Sequence, residues 1–253
     1  MKKRLDVLLV ERGLAESRAQ AQALVLAGLV PGRSKPGEQV DEGAELTVER
    51  PPRFVSRGGE KLANALDALA VDVTDAICLD VGASTGGFTD CLLQRGADRV
   101  IALDVGYGQL HPKIRDDPRV TVLERTNVRS IKELPFAPDF VTCDVSFISL
   151  RTALPAALGL AEPGWRALVL VKPQFEAGRA EVRKGVVRDP AVHRRVVREI
   201  ADAALGWGAR VAGVVDSGLP GPKGNREFFL YLVQADDPSH PDELDDWIDA
   251  AAG

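Results

Sequence analysis

An aspartate and a lysine each close an apolar run: Asp144 follows Phe140–Cys143, and Lys172 follows Leu168–Val171. If those runs are neighbouring parallel strands, both side chains arrive at the carboxyl end of one sheet, where open α/β proteins bind their ligands. A lysine at such a place is costly unless it meets a partner or snorkels to water. Pro173 fixes the backbone just after it. Lys61, after Ser56-Arg57-Gly58-Gly59-Glu60, and Glu227, just before the apolar run Phe228–Val233, read singly as surface charges.

The loop Gly82-Ala83-Ser84-Thr85-Gly86-Gly87-Phe88-Thr89 follows the apolar run Ile77–Val81 directly. A strand, a glycine-rich turn and a helix together cradle nucleotide cofactors, because glycine lets the backbone approach and the helix N-terminus faces the ligand. Several chemistries compete for it. A nicotinamide or flavin site calls for G-x-G-x-x-G, and Ser84 occupies the second glycine position. A serine-hydrolase elbow, G-x-S-x-G, is matched by Gly82–Gly86. It would follow the first strand rather than several, and its histidine would have to be His111, His193 or His240. An S-adenosylmethionine site needs no second crowding glycine, since that cofactor has no pyrophosphate. Asp80 stands where its ammonium would lie, and Asp104, 24 residues on, where its ribose would lie. An ordinary tight turn leaves the cluster of Gly, Ser, Thr and flanking acids unexplained.

The elements that must hold these residues follow from the pattern. Apolar runs at Ile77–Val81, Val100–Asp104, Val120–Leu123, Phe140–Cys143 and Leu168–Val171 alternate with helical stretches. The alternation predicts an α/β fold with a parallel, doubly wound sheet. Val211–Val215 and Phe228–Val233 are too close for a crossover, so the sheet should end in an antiparallel hairpin. Residues 1–50 read as a small α+β unit. Leu5, Leu8 and Leu9 share a helical face, Ser17 caps a second helix, and Glu45–Val48 reads as a strand. Residues 51–58, opened by two prolines, read as a linker. Residues 59–236 read as the main domain, with a first helix at Glu60–Leu69, and residues 237–253 as an acidic C-terminal tail.

In order and context, Lys61, Asp144, Lys172 and Glu227 resemble the Lys-Asp-Lys-Glu tetrad of the FtsJ-like ribose 2′-O-methyltransferases. The surrounding segments Val55–Leu62, Asp80–Asp90, Asp144–Ser149, Leu170–Glu176, Lys184–Arg188 and Gly221–Glu227 narrow the resemblance to the TlyA proteins. Arg4-Leu5-Asp6 and Ser17-Arg18-Ala19 are similar to the RNA-binding module named after ribosomal protein S-four, although Val30–Pro36 lacks its usual apolar hairpin residues. The resemblance spans nearly the whole chain. It implies a Rossmann-like S-adenosylmethionine-dependent methyltransferase fold behind a small RNA-binding domain. It also implies a cytoplasmic enzyme that methylates ribose, at cytidine, in ribosomal RNA within subunits or ribosomes. Lys172 then becomes the candidate general base, neutral at the moment of transfer beside the nearby cation Lys61, with Asp144 and Glu227 orienting the two lysines. Asp80, Gly82, Ala83, Ser84, Gly86, Gly87, Phe88, Asp104 and Asp144 become cofactor contacts, with Asn127 near the adenine. Lys3, Arg4, Arg18, Arg57, Arg183, Lys184 and Arg188 become RNA contacts. Some TlyA proteins are also called haemolysins, so a membrane-active protein is one alternative. An RNA-binding assembly factor without turnover is another.

Composition limits the rest. The chain has 253 residues, and a net charge of −5 taken alone disfavours nucleic acid. The charge is uneven. Residues 235–253 carry seven acids and no Lys or Arg, whereas 1–37 carry seven bases against three acids and 179–198 seven against two. Clustered cations, rather than net charge, release counterions from phosphates. No apolar run approaches the roughly 18 residues a membrane span needs, so no stable membrane association is expected. Three cysteines without C-x-x-C spacing and three scattered histidines predict neither a disulfide framework nor a metal site.

Overall fold

The computed structural model describes residues 1–49 and 52–253. Arg50 and Pro51, where the predicted linker opens, lie outside the described residues. The chain divides into two compact units, Met1–Arg53 and Phe54–Gly253.

In the first unit, β1 (Lys2–Arg4) runs straight into α1 (Leu5–Glu11), followed by α2 (Arg18–Leu26) and β2 (Gln39–Asp41). Ser17 Oγ accepts the Gln20 amide at 3.2 Å and caps α2, as its residue type favours. Leu5, Leu9, Ala21, Val25, Val30 and Val40 form the core. The strand expected at Glu45–Val48 is absent. β1 pairs antiparallel with β2 instead, in the register Lys3↔Val40. Leu46 and Val48 do contribute, by packing on the core. Their alternation reports burial without a ladder partner.

The second unit contains α3 (Arg57–Ala68), β3 (Ile77–Val81), α4 (Gly87–Gln94), β4 (Arg99–Leu103), α5 (Pro112–Arg115), β5 (Val120–Leu123) and β6 (Phe140–Cys143). Then come α6 (Leu150–Leu158), β7 (Arg166–Val171), α7 (Pro173–Glu176), α8 (Pro190–Leu205), β8 (Ala209–Asp216), β9 (Phe228–Gln234) and α9 (Leu244–Ala252). One seven-stranded sheet has the order β5-β4-β3-β6-β7-β9-β8. The first five are parallel, and β9 runs antiparallel to both β7 and β8. Side chains alternate across it. Leu79, Ile101, Val141 and Val169 meet α6, α8 and α9 on one face, while Cys78, Ala102, Phe140 and Leu168 meet α3 and α4 on the other. The sheet is therefore the middle layer of three.

Two predicted boundaries move. The expected linker does not extend past residue 53, because Phe54 is buried and the Val55 amide donates to Asp90 Oδ2 at 2.9 Å. Helix α3 then starts at Arg57 rather than Glu60, taking in Gly58 and Gly59. Those glycines permit contact instead of breaking the helix, since a Cβ on Gly59 would collide with Phe54. The acidic tail is also more than a tail. In α9, Leu244, Ile248, Ala251 and Ala252 are buried on one helical face. Among the described residues, no helix is long and apolar enough to cross a membrane.

Candidate active site

The carboxyl ends of β3, β4, β6 and β7 open into two adjoining cavities that share Gly82, Ser84 and Asp144. The first, about 290 Å³, is lined by Lys61, Asp144, Lys172 and Glu227. Each residue arrives on a different element. Lys61 comes from α3, and Glu227 immediately precedes β9. Asp144 follows β6, and Lys172 follows β7 as the residue before Pro173. They form two ion pairs. Lys172 Nζ lies 2.5 Å from Asp144 Oδ1, and Lys61 Nζ lies 2.5 Å from Glu227 Oε2. Glu227 is fully buried, and Lys61 and Lys172 are nearly so. Buried ions persist only when paired and hydrogen-bonded. Gln174 Nε2 supplies the remaining contact to Glu227 Oε1, at 3.0 Å.

The glycine loop forms the wall between the cavities. Gly82 has φ +85°, and a Cβ there would collide with the Asp144 carbonyl oxygen. Ala83, Gly87 and Phe88 face the tetrad cavity. The second cavity, about 360 Å³, is lined by Ser84, Asp104 and Asn127 together with Val105, Val128 and Phe147, among others. The Asp104 oxygens accept the Ser84 and Gly106 amides, both at 2.7 Å. A carboxylate has more than two lone pairs, so Asp104 can still accept from a vicinal diol. Asn127 Oδ1 accepts the Arg129 amide at 3.1 Å, which leaves its NH₂ to offer. The cavity thus has a hydroxyl-accepting end and an apolar flank, a donor set that fits a nucleoside.

Two expected cofactor contacts turn away from the cavities. Asp80 shares the sheet face of Cys78, because side chains alternate, and α4 covers it. It is fully buried, and its carboxylate accepts hydroxyls from Thr89 at 2.7 Å and from Thr142, its register partner on β6, at 3.0 Å. Burial pushes its carboxyl up to about 6, against the pull of those two hydroxyls. Asp80 therefore ties α4 to the sheet. Gly86 faces Leu110 and Ile114, and its φ of +92° turns the loop into α4. The elbow reading fails on geometry as well. Ser84 Oγ meets Gln109 Oε1 at 3.4 Å, while His111 Nδ1 accepts the Lys113 amide at 3.1 Å and caps α5, His193 is buried against the Val187 carbonyl and His240 pairs with Asp202.

The expected RNA contacts are unequal. Lys3 pairs with Glu11. Arg4 and Arg18 converge on the buried Asp6, whose carboxyl they and Gln22 hold well below the usual range. Arg57 donates to the Pro220 carbonyl at 2.8 Å and lines the tetrad cavity. Arg183, Lys184 and Arg188 are exposed and carry no salt bridge among the described residues. Within residues 179–198, Arg194, Arg195 and Arg198 are neutralised by Asp249, by Glu181 and Glu199, and by Asp245. Three of the seven bases in that segment are therefore held in ion pairs within the fold. Sequence reasoning missed Ser146, which meets Lys172, and Gln174. The available signal was their position, two residues beyond Asp144 and Lys172 at the same sheet edge.

Comparison with known proteins gives the family. An FtsJ-like methyltransferase model matches residues 54–234, and an S4 domain model matches 3–30. The chain is 50% identical over 240 residues to YqxC of Bacillus subtilis, covering 91% of this chain and 85% of that one. It is 49% identical over 238 residues to TlyA of Mycobacterium tuberculosis, a 16S/23S rRNA (cytidine-2′-O)-methyltransferase, covering 90% and 89%. A solved structure from Streptococcus thermophilus that carries a hemolysin designation superposes with TM-score 0.75 at 42% identity, covering 98% of this chain and 94% of that one. The chain belongs to the TlyA branch of the FtsJ-like methyltransferase family, in which an S4 domain precedes the methyltransferase domain.

Proposed function

We propose that this protein methylates the 2′-hydroxyl of ribose in ribosomal RNA, at cytidine, with S-adenosylmethionine as cofactor. The observation that carries the reading is the paired tetrad, Lys172 with Asp144 and Lys61 with Glu227, in a cavity that shares Gly82, Ser84 and Asp144 with a nucleoside-shaped neighbour. When bound, S-adenosylmethionine would supply an electrophilic sulfonium methyl, which passes to the ribose oxygen as the carbon–sulfur bond breaks and S-adenosylhomocysteine leaves. Asp104 accepts from the cofactor ribose and Asn127 offers its NH₂ to the adenine. Gly82, Ala83, Ser84, Gly87 and Phe88 shape the passage between the cavities. Lys172 takes the proton from the ribose hydroxyl at Nζ and ends as an ammonium beside Asp144. Lys61 and Glu227 bracket the same cavity and fix where the ribose sits. Alignment of this kind is worth roughly 7–11 kcal/mol. Arg183, Lys184 and Arg188 supply phosphate contacts near the cleft. The target places the enzyme with ribosomes in the cytoplasm.

Radiolabelled methyl transfer onto free ribosomal subunits and whole ribosomes tests this. Wild-type protein should label rRNA as 2′-O-methylcytidine. Lys172→Ala should transfer less than about one part in a hundred, consistent with loss of a general base, while still binding the cofactor. Wild-type turnover by that variant, or no rRNA label from wild-type protein, would overturn the proposal.

A further inference from the structure

We infer that Ser146 is a positioning residue that aims the lone pair of Lys172, an inference that rests on the proposed general-base role of that lysine. Ser146 lies outside the tetrad. Its Oγ accepts from Lys172 Nζ at 3.0 Å. The same nitrogen lies 2.5 Å from Asp144 Oδ1. Ser146 is its hydrogen-bond partner and Asp144 its ion-pair partner.

A neutral lysine amine has two N–H bonds and one lone pair, arranged tetrahedrally with its carbon. The bond to Ser146 fixes one hydrogen and the negative charge of Asp144, an ion-pair partner rather than a hydrogen-bonded one, attracts the other, so the lone pair favours the remaining vertex. Ser146 lines the nucleoside-shaped cavity and Lys172 the tetrad cavity, with Asp144 on the boundary of both. One hydrogen is thus drawn to the boundary and the other to the cofactor side. The lone pair is left to the tetrad side, where a ribose hydroxyl must enter. With Asp144 alone the amine could rotate about its Cε–Nζ bond and present a hydrogen to that hydroxyl.

The loop that carries Ser146 is braced. The Asp144 amide donates to the Val81 carbonyl at 2.9 Å. Beyond Ser146, Glu176 accepts from Ser149 Oγ at 2.6 Å and from the Leu150 amide at 2.7 Å. Glu176 belongs to α7, which begins at the residue after Lys172. One short helix therefore fixes both the lysine and the loop holding its hydrogen-bond partner. The hydroxyl can contribute only if it stays within hydrogen-bond reach of Nζ, and this brace keeps it there.

The test is single-turnover methyl transfer at saturating cofactor, with Ser146→Ala and Ser146→Thr compared with wild type and Lys172→Ala. Ser146→Ala should slow transfer about tenfold or more, as expected when a reacting group is misaligned, with cofactor Kd and RNA Kd each within about threefold of wild type. Ser146→Thr, which keeps the hydroxyl, should recover most of the lost rate. A Ser146→Ala rate within twofold of wild type, while Lys172→Ala is silent, would overturn the aiming role and leave the base assignment standing. Loss confined to cofactor Kd would also overturn it, by making Ser146 a cofactor contact. Full activity in Lys172→Ala would instead remove the reading on which this inference depends.

Discussion

At the scale of single residues, Asp80 shows how far a motif position can differ from the role its neighbours suggest. It sits in the first strand just before the glycine loop, yet α4 and Thr142 close over it. Its carboxyl, raised to about 6 from an ordinary 3.8, has a definite consequence for stability. The native state holds its proton more tightly than the unfolded chain. Stability from this group is therefore fully present below pH 3.8, declines between pH 3.8 and about 6, and is flat above. Above pH 6 the fold carries a buried charge satisfied by two hydroxyls and the Thr89 amide. Asp80→Asn removes that charge and keeps an acceptor for one threonine. Melting curves should show the variant more stable than wild type at pH 7.5, by at least about 2 °C, with the gap closing or reversing at pH 4. A variant less stable at pH 7.5 than at pH 4, relative to wild type, would show that the ionised carboxylate is worth more to the Thr89 and Thr142 bonds than its desolvation costs.

At the scale of elements, Gly59 in α3 decides between two opposite expectations. Helix propensity alone favours Gly59→Ala by about 1 kcal/mol. Packing opposes it, because the added methyl would meet Phe54 and the Gly87 carbonyl of the cofactor loop. Overpacking costs about 1–3 kcal/mol, so the variant should melt lower than wild type. It should also lose methyl transfer, because Lys61 stands two residues further on the same helix and must reach Glu227. The same element explains what the sequence revealed and what it hid. The strands were legible because parallel strands covered on both faces read as continuous apolar runs; β3, β5 and β6 fall where those runs stand. The hairpin at the end was legible from connection length. The start of α3 was not, because glycine reads as a breaker unless its contact partner is known. Lys61 and Glu227 are 166 positions apart, and each alone is an ordinary surface charge; only the resemblance joined them, and the 2.5 Å pairing is a tertiary fact. The burial of Asp80 was equally invisible, since it depends on which face α4 covers.

At the scale of the whole molecule, the acidic excess that first seemed to exclude RNA is partly a packing device. Seven acids lie in residues 235–253, and two of them, Asp245 and Asp249, pair with Arg198 and Arg194 on α8. Beneath them Leu244 and Ile248 are buried against the sheet's own core. Arg226, the residue before Glu227, donates to the carbonyls of Ala251 and Gly253 and to Asp216, so the far end of α9 is fastened to the start of β9. Removing residues 244–253 therefore does two things at once. It exposes apolar surface, at about 1.5–3 kcal/mol for each of Leu244 and Ile248, a large part of a typical net stability of about 5–15 kcal/mol. It also frees the arginines of α8. The two effects separate in a second variant, Asp245→Asn/Asp246→Asn/Asp249→Asn, which keeps the apolar face and removes three acids. The truncated protein should melt at least 5 °C lower, by the usual scaling for a domain of this size, and lose methyl transfer as the anchor beside Glu227 goes. The triple variant should melt within a few degrees of wild type and bind RNA more tightly at low salt, with the gain vanishing as salt screens it. If truncation leaves the melting temperature unchanged, α9 is not part of the fold's support. If the triple variant binds RNA no better at low salt, the α8 arginines do not face the substrate, and phosphate contact falls to Arg183, Lys184 and Arg188 alone.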